Sequence, residues 1–207
     1  MNISQQFAPP FKLVGSFFIS AMIIFFISIL LLFNFDINLI HTQNSLVLSW
    51  VHLYLLGFVM MSIFASMAQL LPVVLEVEHF SIDLYYVVNP LLFMGTTLIF
   101  IGFYKYPMVL SYGGVIVFIS FFIFLFESFL TIKKVKKLNF LSSTVLVANI
   151  FLFSGLVVAI LLSFVYSGVL FLNIKALMLS HIYLVFVGYL GITIISMSYI
   201  LIPMFWL

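Results

Sequence analysis

Cysteine and arginine are both missing from the chain, and charge of either sign is scarce: seven lysines and five acidic residues make up 6% of 207 residues. Without thiols there is no disulfide, no thiolate-held zinc, no iron–sulfur cluster and no cysteine nucleophile. A soluble domain of this size carries about 25% charged residues, so this chain cannot build a water-facing surface. It has no basic patch of the kind nucleic acid requires, and no nucleic-acid partner is expected. A nucleophile–base pair, a phosphate loop and a Gly-rich dinucleotide turn are likewise missing.

What the chain has is apolar length. It is 66% hydrophobic, with 27 Phe and a mean hydropathy of +1.41. Its runs are continuous rather than alternating, which selects helices over barrel strands. Six spans are predicted, at 11–33, 47–74, 85–104, 108–131, 140–166 and 177–203. Each is long enough at about 1.5 Å per residue to cross a hydrocarbon core of about 30 Å. The expected fold is all-α, a polytopic membrane helical bundle in one integral domain over 1–207, with the lipid bilayer as its first partner. The opening "MNISQQFAPPFKLVGSFF" lacks the basic cluster and cleavage pattern of a signal peptide and is expected to lead straight into the first span.

Orientation follows from lysine. Lys133, Lys134, Lys136 and Lys137 share the connection between spans four and five. The positive-inside rule makes that loop cytoplasmic, and six spans then place both termini on the same side of the inner membrane. Lys12 agrees, while Lys105 and Lys175 fall outside, one in each of two connections.

Two stretches resemble each other. Residues 50–74 read "WVHLYLLGFVMMSIFASMAQLLPVV", and residues 180–205 read "SHIYLVFVGYLGITIISMSYILIPMF". In each, His, an apolar residue, Tyr and Leu open a long apolar run that closes on Pro. The histidines His52 and His181 are 129 residues apart, and Pro72 and Pro203 are 131 apart, so a small indel separates the copies. Span one also pairs with span five. The repeat unit is then four helices long, one unit covering about 11–131 and a partial second unit about 140–207. The chain stops four residues after Pro203, which predicts a truncated frame or a fragment.

His52 and His181 are the candidate ligands. An ionisable residue in a span points by default to a function inside the bundle, and neutral imidazole is the commonest metal ligand. Helical arithmetic places Ser62, Ser66 and Gln69 within about 100° of the His52 direction, with Val59 and Ile63 more directly along it. Gly188, Gly191 and Ser198 fall near the His181 direction, where glycines would let a helix or a flat cofactor approach. The competing reading is an interfacial anchor, as Trp50 and Tyr54 beside His52 would form. Elsewhere, His41 falls in an outer loop, and Glu76, Glu78 and His79 in "EVEHF" are expected to form a solvated turn, with metal binding or proton relay as alternatives. Glu127 is expected to be neutralised by the nearby lysines, a proton path being the alternative. Asn89 and Asn149 are expected to make interhelical hydrogen bonds, Gly113–Gly114 to be a packing contact, and Pro90 to sit near the start of span three.

The piece "HLYLLGFVMMSIFASMAQLLPVV" resembles helix two of the haem–copper oxidase catalytic subunit, and "EVEHFSIDLYYVVNPLLF" extends the likeness into the next helix. The chain also looks like the related NnrS-type haem- and copper-containing membrane proteins, and "FAPPFKLVGSFF" resembles their "PPF" openings. The resemblance covers about fifty residues at the level of motif and the whole chain at the level of helix pattern. It implies haem as cofactor, with His52 as an axial ligand. His181 matches a copper ligand of the second four-helix group, so copper is the second implied metal. The Tyr and paired His that accompany that copper ligand are missing, and Tyr183 is on the wrong spacing. The implied role is haem binding and electron transfer in respiratory or nitric-oxide-related metabolism, with other respiratory membrane subunits as partners. A transporter or channel-like bundle, or a cofactor-free assembly subunit, are the alternatives from the residues alone.

Overall fold

A computed structural model describes residues 5–35 and 44–206. His41 lies outside the described residues. Among those described there is no strand, and six helices are long and apolar enough to cross a membrane: α1 Phe11–Leu32, α2 Ser45–Leu75, α3 Asp83–Tyr104, α4 Val109–Ile132, α5 Phe140–Tyr166 and α6 Ile174–Pro203. The protein is an all-α, multi-pass membrane bundle, with span limits within three residues of those read from the sequence.

Asparagine starts three of the helices. Asn44 accepts from the backbone N–H groups of Leu46 and Val47 at the head of α2, and Asn173 accepts from Ala176 N–H at the head of α6. Asn139 forms a reciprocal capping box with Ser142 at α5. These caps supply acceptors for N–H groups that have no partner within the helix.

The helices then pack in chain order. α3 and α4 form the closest pair, an antiparallel hairpin. Gly113 makes that approach possible, because a Cβ there would lie 2.9 Å from the backbone N of Ile99. A Cβ on the neighbouring Gly114 would meet the Ser163 side chain of α5. The Gly113–Gly114 pair is thus a packing contact on both sides. Asn149 donates to Ser128 Oγ (2.9 Å) and Asn89 to Ser16 Oγ (3.2 Å), which joins α5 to α4 and α3 to α1. Both asparagines make the interhelical bonds expected of them. Pro90 is the eighth residue of α3, on an exposed face one turn past the tolerated first turn, so the Tyr86 carbonyl lacks its helical donor.

Substituting Gly113→Val forces the α3 and α4 backbones apart. The expected loss is about 1–3 kcal/mol, the usual range for an overpacked core, measured by denaturant unfolding in detergent micelles. Gly15→Val is the control: its Cβ would meet only the Phe11 ring of its own helix, at 3.5 Å, and stability should be unchanged.

Candidate functional site

The two His–Pro helices share more than their motif. Asn44 stands eight residues ahead of His52, and Asn173 stands eight residues ahead of His181. Just past each histidine the helix widens from α to π geometry, over Leu53–Met60 in α2 and Tyr183–Gly191 in α6. From histidine to glycine the chain takes five residues to Gly57 but seven to Gly188. From glycine to proline, Gly57 to Pro72 and Gly188 to Pro203, it takes fifteen in both. The two-residue difference therefore falls inside the π segment, where the wider turn accommodates extra residues.

His52 and His181 line the same cavity, about 280 Å³ in volume, between α2, α4, α5 and α6 with one edge on α3. Each ring is held the same way. His52 Nδ1–H donates to the Leu48 carbonyl (2.8 Å), and His181 Nδ1–H donates to the Gly155 carbonyl across on α5 (3.1 Å). A carbonyl only accepts, so both rings carry their proton on Nδ1, which leaves Nε2 as a lone-pair donor. Neither Nε2 has a hydrogen-bond partner among the described residues. The His52 ring also lies against Phe103, with centroids 4.9 Å apart and an interplanar angle of 31°. The walls are Leu, Val, Ile, Met and Phe, with Ser163 and Tyr166 the other polar side chains and no lysine or acidic residue. Trp50 and Tyr54 stack on one another with centroids at 5.4 Å, and Trp50 Nε1–H is bonded to the Ser28 carbonyl of α1.

The cavity takes the apolar part of the stripe below His52. Below His52 the cavity is lined by Leu55, Leu56, Val59 and Met60, and Ser62, Ser66 and Gln69 do not line it. Ser66 returns its hydroxyl to the Ser62 carbonyl. Angles counted at 100° per residue lose phase across a π turn, though Val59 keeps its place. On α6, Gly188 packs against Phe151 of α5 rather than facing the cavity, and Val185, Phe186 and Leu190 line it instead.

A second cluster lies at the opposite end of the bundle, and it overturns two expectations. Glu76 and Glu78 are exposed, but His79 turns inward with 6% of its side chain accessible. Its Nδ1 is 2.8 Å from Glu127 Oε1, and its Nε2 is 2.9 Å from the Ala68 carbonyl. Glu127 is wholly buried and pairs with His79, not with the lysines. Lys134 reaches instead to the carbonyls of His79 (2.7 Å) and Glu78 (3.2 Å). The cause is Pro72. A proline has no N–H, so the carbonyl four residues earlier, that of Ala68, loses its helical donor, and His79 Nε2–H takes that place. Just beyond, Glu76 adopts a left-handed conformation (φ 55°), and the N–H groups of Glu76 and Val77 both close on the Pro72 carbonyl. A proline that frees the carbonyl four residues before it, with a histidine seven residues after it, was the signal available in the sequence.

Comparison with protein-family models, with characterised proteins and with solved structures found no match for this chain. The functional reading therefore rests on the residues themselves.

His79→Ala removes the donor to Ala68 and the partner of Glu127 together. Breaking one side of a buried pair costs about 3–5 kcal/mol, and a loss of that size is expected in denaturant unfolding in micelles. Glu78→Ala, on the exposed side of the same loop, should leave the transition where it is.

Proposed function

We propose that this chain is a haem-binding membrane protein of electron transfer, with His52 and His181 as the ligands. The observation that carries the reading is the matched pair of imidazoles. They line one apolar cavity, each fixed through Nδ1–H to a backbone carbonyl and each with Nε2 left unbonded. Such a bond on the far nitrogen sets tautomer and ring orientation in metal-ligating histidines generally.

The residues present fit a haem better than a bare ion. Among the described residues no three His, Asp or Glu side chains come together as a metal group. A zinc ion takes three or more protein ligands, whereas a haem brings four ring nitrogens and asks the protein only for axial donors. Copper at His181 is the second metal reading and rests on the resemblance alone. The cavity volume is near the lower end of the range of about 300–1,000 Å³ for small-molecule sites, and Met60 and Met178 in its wall are side chains that repack readily. A bound haem supplies one-electron chemistry. The chain's own part is to hold two imidazoles in one tautomer, to present an aromatic face through Phe103, and to keep water out with aliphatic walls. The oxidase-like or NnrS-like resemblance, a respiratory or nitric-oxide-related setting and other respiratory subunits as partners belong to this proposal.

The size and apolar lining of the same cavity favour a second reading, a transporter-like bundle that takes a small apolar solute. Absorption spectroscopy separates the two. Protein purified from haem-replete cells should show a Soret band, weakened or shifted in His52→Ala and in His181→Ala and partly restored by added imidazole. A colourless wild type, stabilised instead by a small apolar solute, would end the haem reading.

We further propose that the protein sits in the inner membrane with both termini and the Lys133–Lys137 segment in the cytoplasm, which places the histidine pair toward the periplasm. The cysteine-free sequence makes this easy to test. A membrane-impermeant maleimide should label Leu172→Cys in intact cells, and Lys136→Cys only after lysis. The reverse pattern inverts the topology.

A further inference from the structure

The buried cluster at the lysine-bearing end has no part in the site above. Oε1 of Glu127 accepts from three donors: His79 Nδ1–H, the Thr131 hydroxyl (2.7 Å) and Phe80 N–H (3.2 Å). With Nε2–H committed to Ala68, the 2.8 Å contact between His79 Nδ1 and Glu127 Oε1 holds one shared proton. The other oxygen, Oε2, is sealed from solvent and has no hydrogen-bond partner among the described residues, and the same holds for the hydroxyl of Tyr85. Tyr85 is close enough to Glu127 to interact with it electrostatically, and its ring meets the edge of His79 with centroids 5.3 Å apart. Tyr189 of α6 also has a buried hydroxyl with no hydrogen-bond partner among the described residues, and it lies within electrostatic range of Tyr85. One carboxylate thus has one oxygen saturated by the loop and one left open, with the Tyr85 phenol close by.

We propose that His79, Glu127 and Tyr85 form a proton-holding site, in which Glu127 receives a proton from the loop side and presents it at Oε2 to the Tyr85 hydroxyl. The steps balance. One proton leaves hydronium at the loop, as water, and one O–H bond forms on the carboxylate, while His79 carries the same protons after the step as before it. The net change is one proton moved from water to the buried acid, and the cluster gains one positive charge, so loading rises as pH falls. The charged and titratable groups around it are Lys134, held on loop carbonyls, Tyr85 and Tyr189 within, and Glu76 and Glu78 on the exposed side of the loop. A rigid latch would need the same His79–Glu127 bond but would leave no role for an open Oε2 aimed at a phenol.

The chain has three glutamates, and two of them are exposed. Infrared difference spectra of the full chain, carrying ¹³C-carboxyl glutamate in lipid nanodiscs, are recorded between about pH 4 and pH 9, starting near the ordinary carboxyl range. The expected result is an acid carbonyl band of a dry carboxyl that grows as pH falls. It should be lost in Glu127→Gln and shifted in frequency in Tyr85→Phe, which removes an oxygen that bonds to nothing else and should fold normally. If Glu127→Gln fails to fold, the Tyr85→Phe shift decides. A folded wild type with no such band, or a band that Tyr85→Phe leaves unmoved, overturns the proposal. The measurement uses no chromophore, so its outcome is independent of whether the histidine pair holds haem.

Discussion

Within a bilayer, a backbone carbonyl or N–H that loses its partner has no water to replace it, at a cost of several kcal/mol. That constraint organises both ends of α2. At one end Asn44 supplies the acceptor that the first N–H groups need. Near the other end Pro72 withdraws a donor, and the chain doubles back so that His79 can restore it. The loop between α2 and α3 is consequently fixed from within. Its histidine bonds α2 and α4 at once, and Lys134 ties the same loop from outside.

The same side chain, imidazole, is wired in two opposite ways. His79 has both ring nitrogens committed, so nothing is left to offer a ligand. His52 and His181 each spend one nitrogen on a carbonyl and keep the other. The difference comes from the neighbours: a carboxylate and an orphaned carbonyl close one ring, while aliphatic walls leave the other two open. A histidine's place in the sequence does not distinguish these states, but its two hydrogen bonds do.

Composition and continuous apolar runs were enough to read the six helices, because length and hydropathy are properties of single segments. The pairing of His52 with His181 was readable through the repeated motif, and the cavity brings the two together. How far the cavity runs along α2 was not readable: its lining stops at Met60, short of Ser62, Ile63, Ser66 and Gln69, and direction around a helix says nothing about depth. The Glu127 partner was missed for a different reason. The lysines are near it in sequence, whereas His79 is 48 residues away and is drawn in by Pro72. Local charge counting favoured the wrong neighbour because a buried carboxylate is matched by whichever donor can be desolvated with it, and a lysine tip that can reach water stays there.

The hairpin of α3 and α4, where Gly113 faces the backbone of Ile99, leaves no slack for those two helices to part. α6 is the reverse case: 22% of its most apolar window is buried, against 56% for α2. The cavity therefore has an inner wall and an outer one: His52 stands on the helix most enclosed by its neighbours and His181 on the helix with the widest outward face, so lipid is the immediate environment of only one of the two imidazoles' helices.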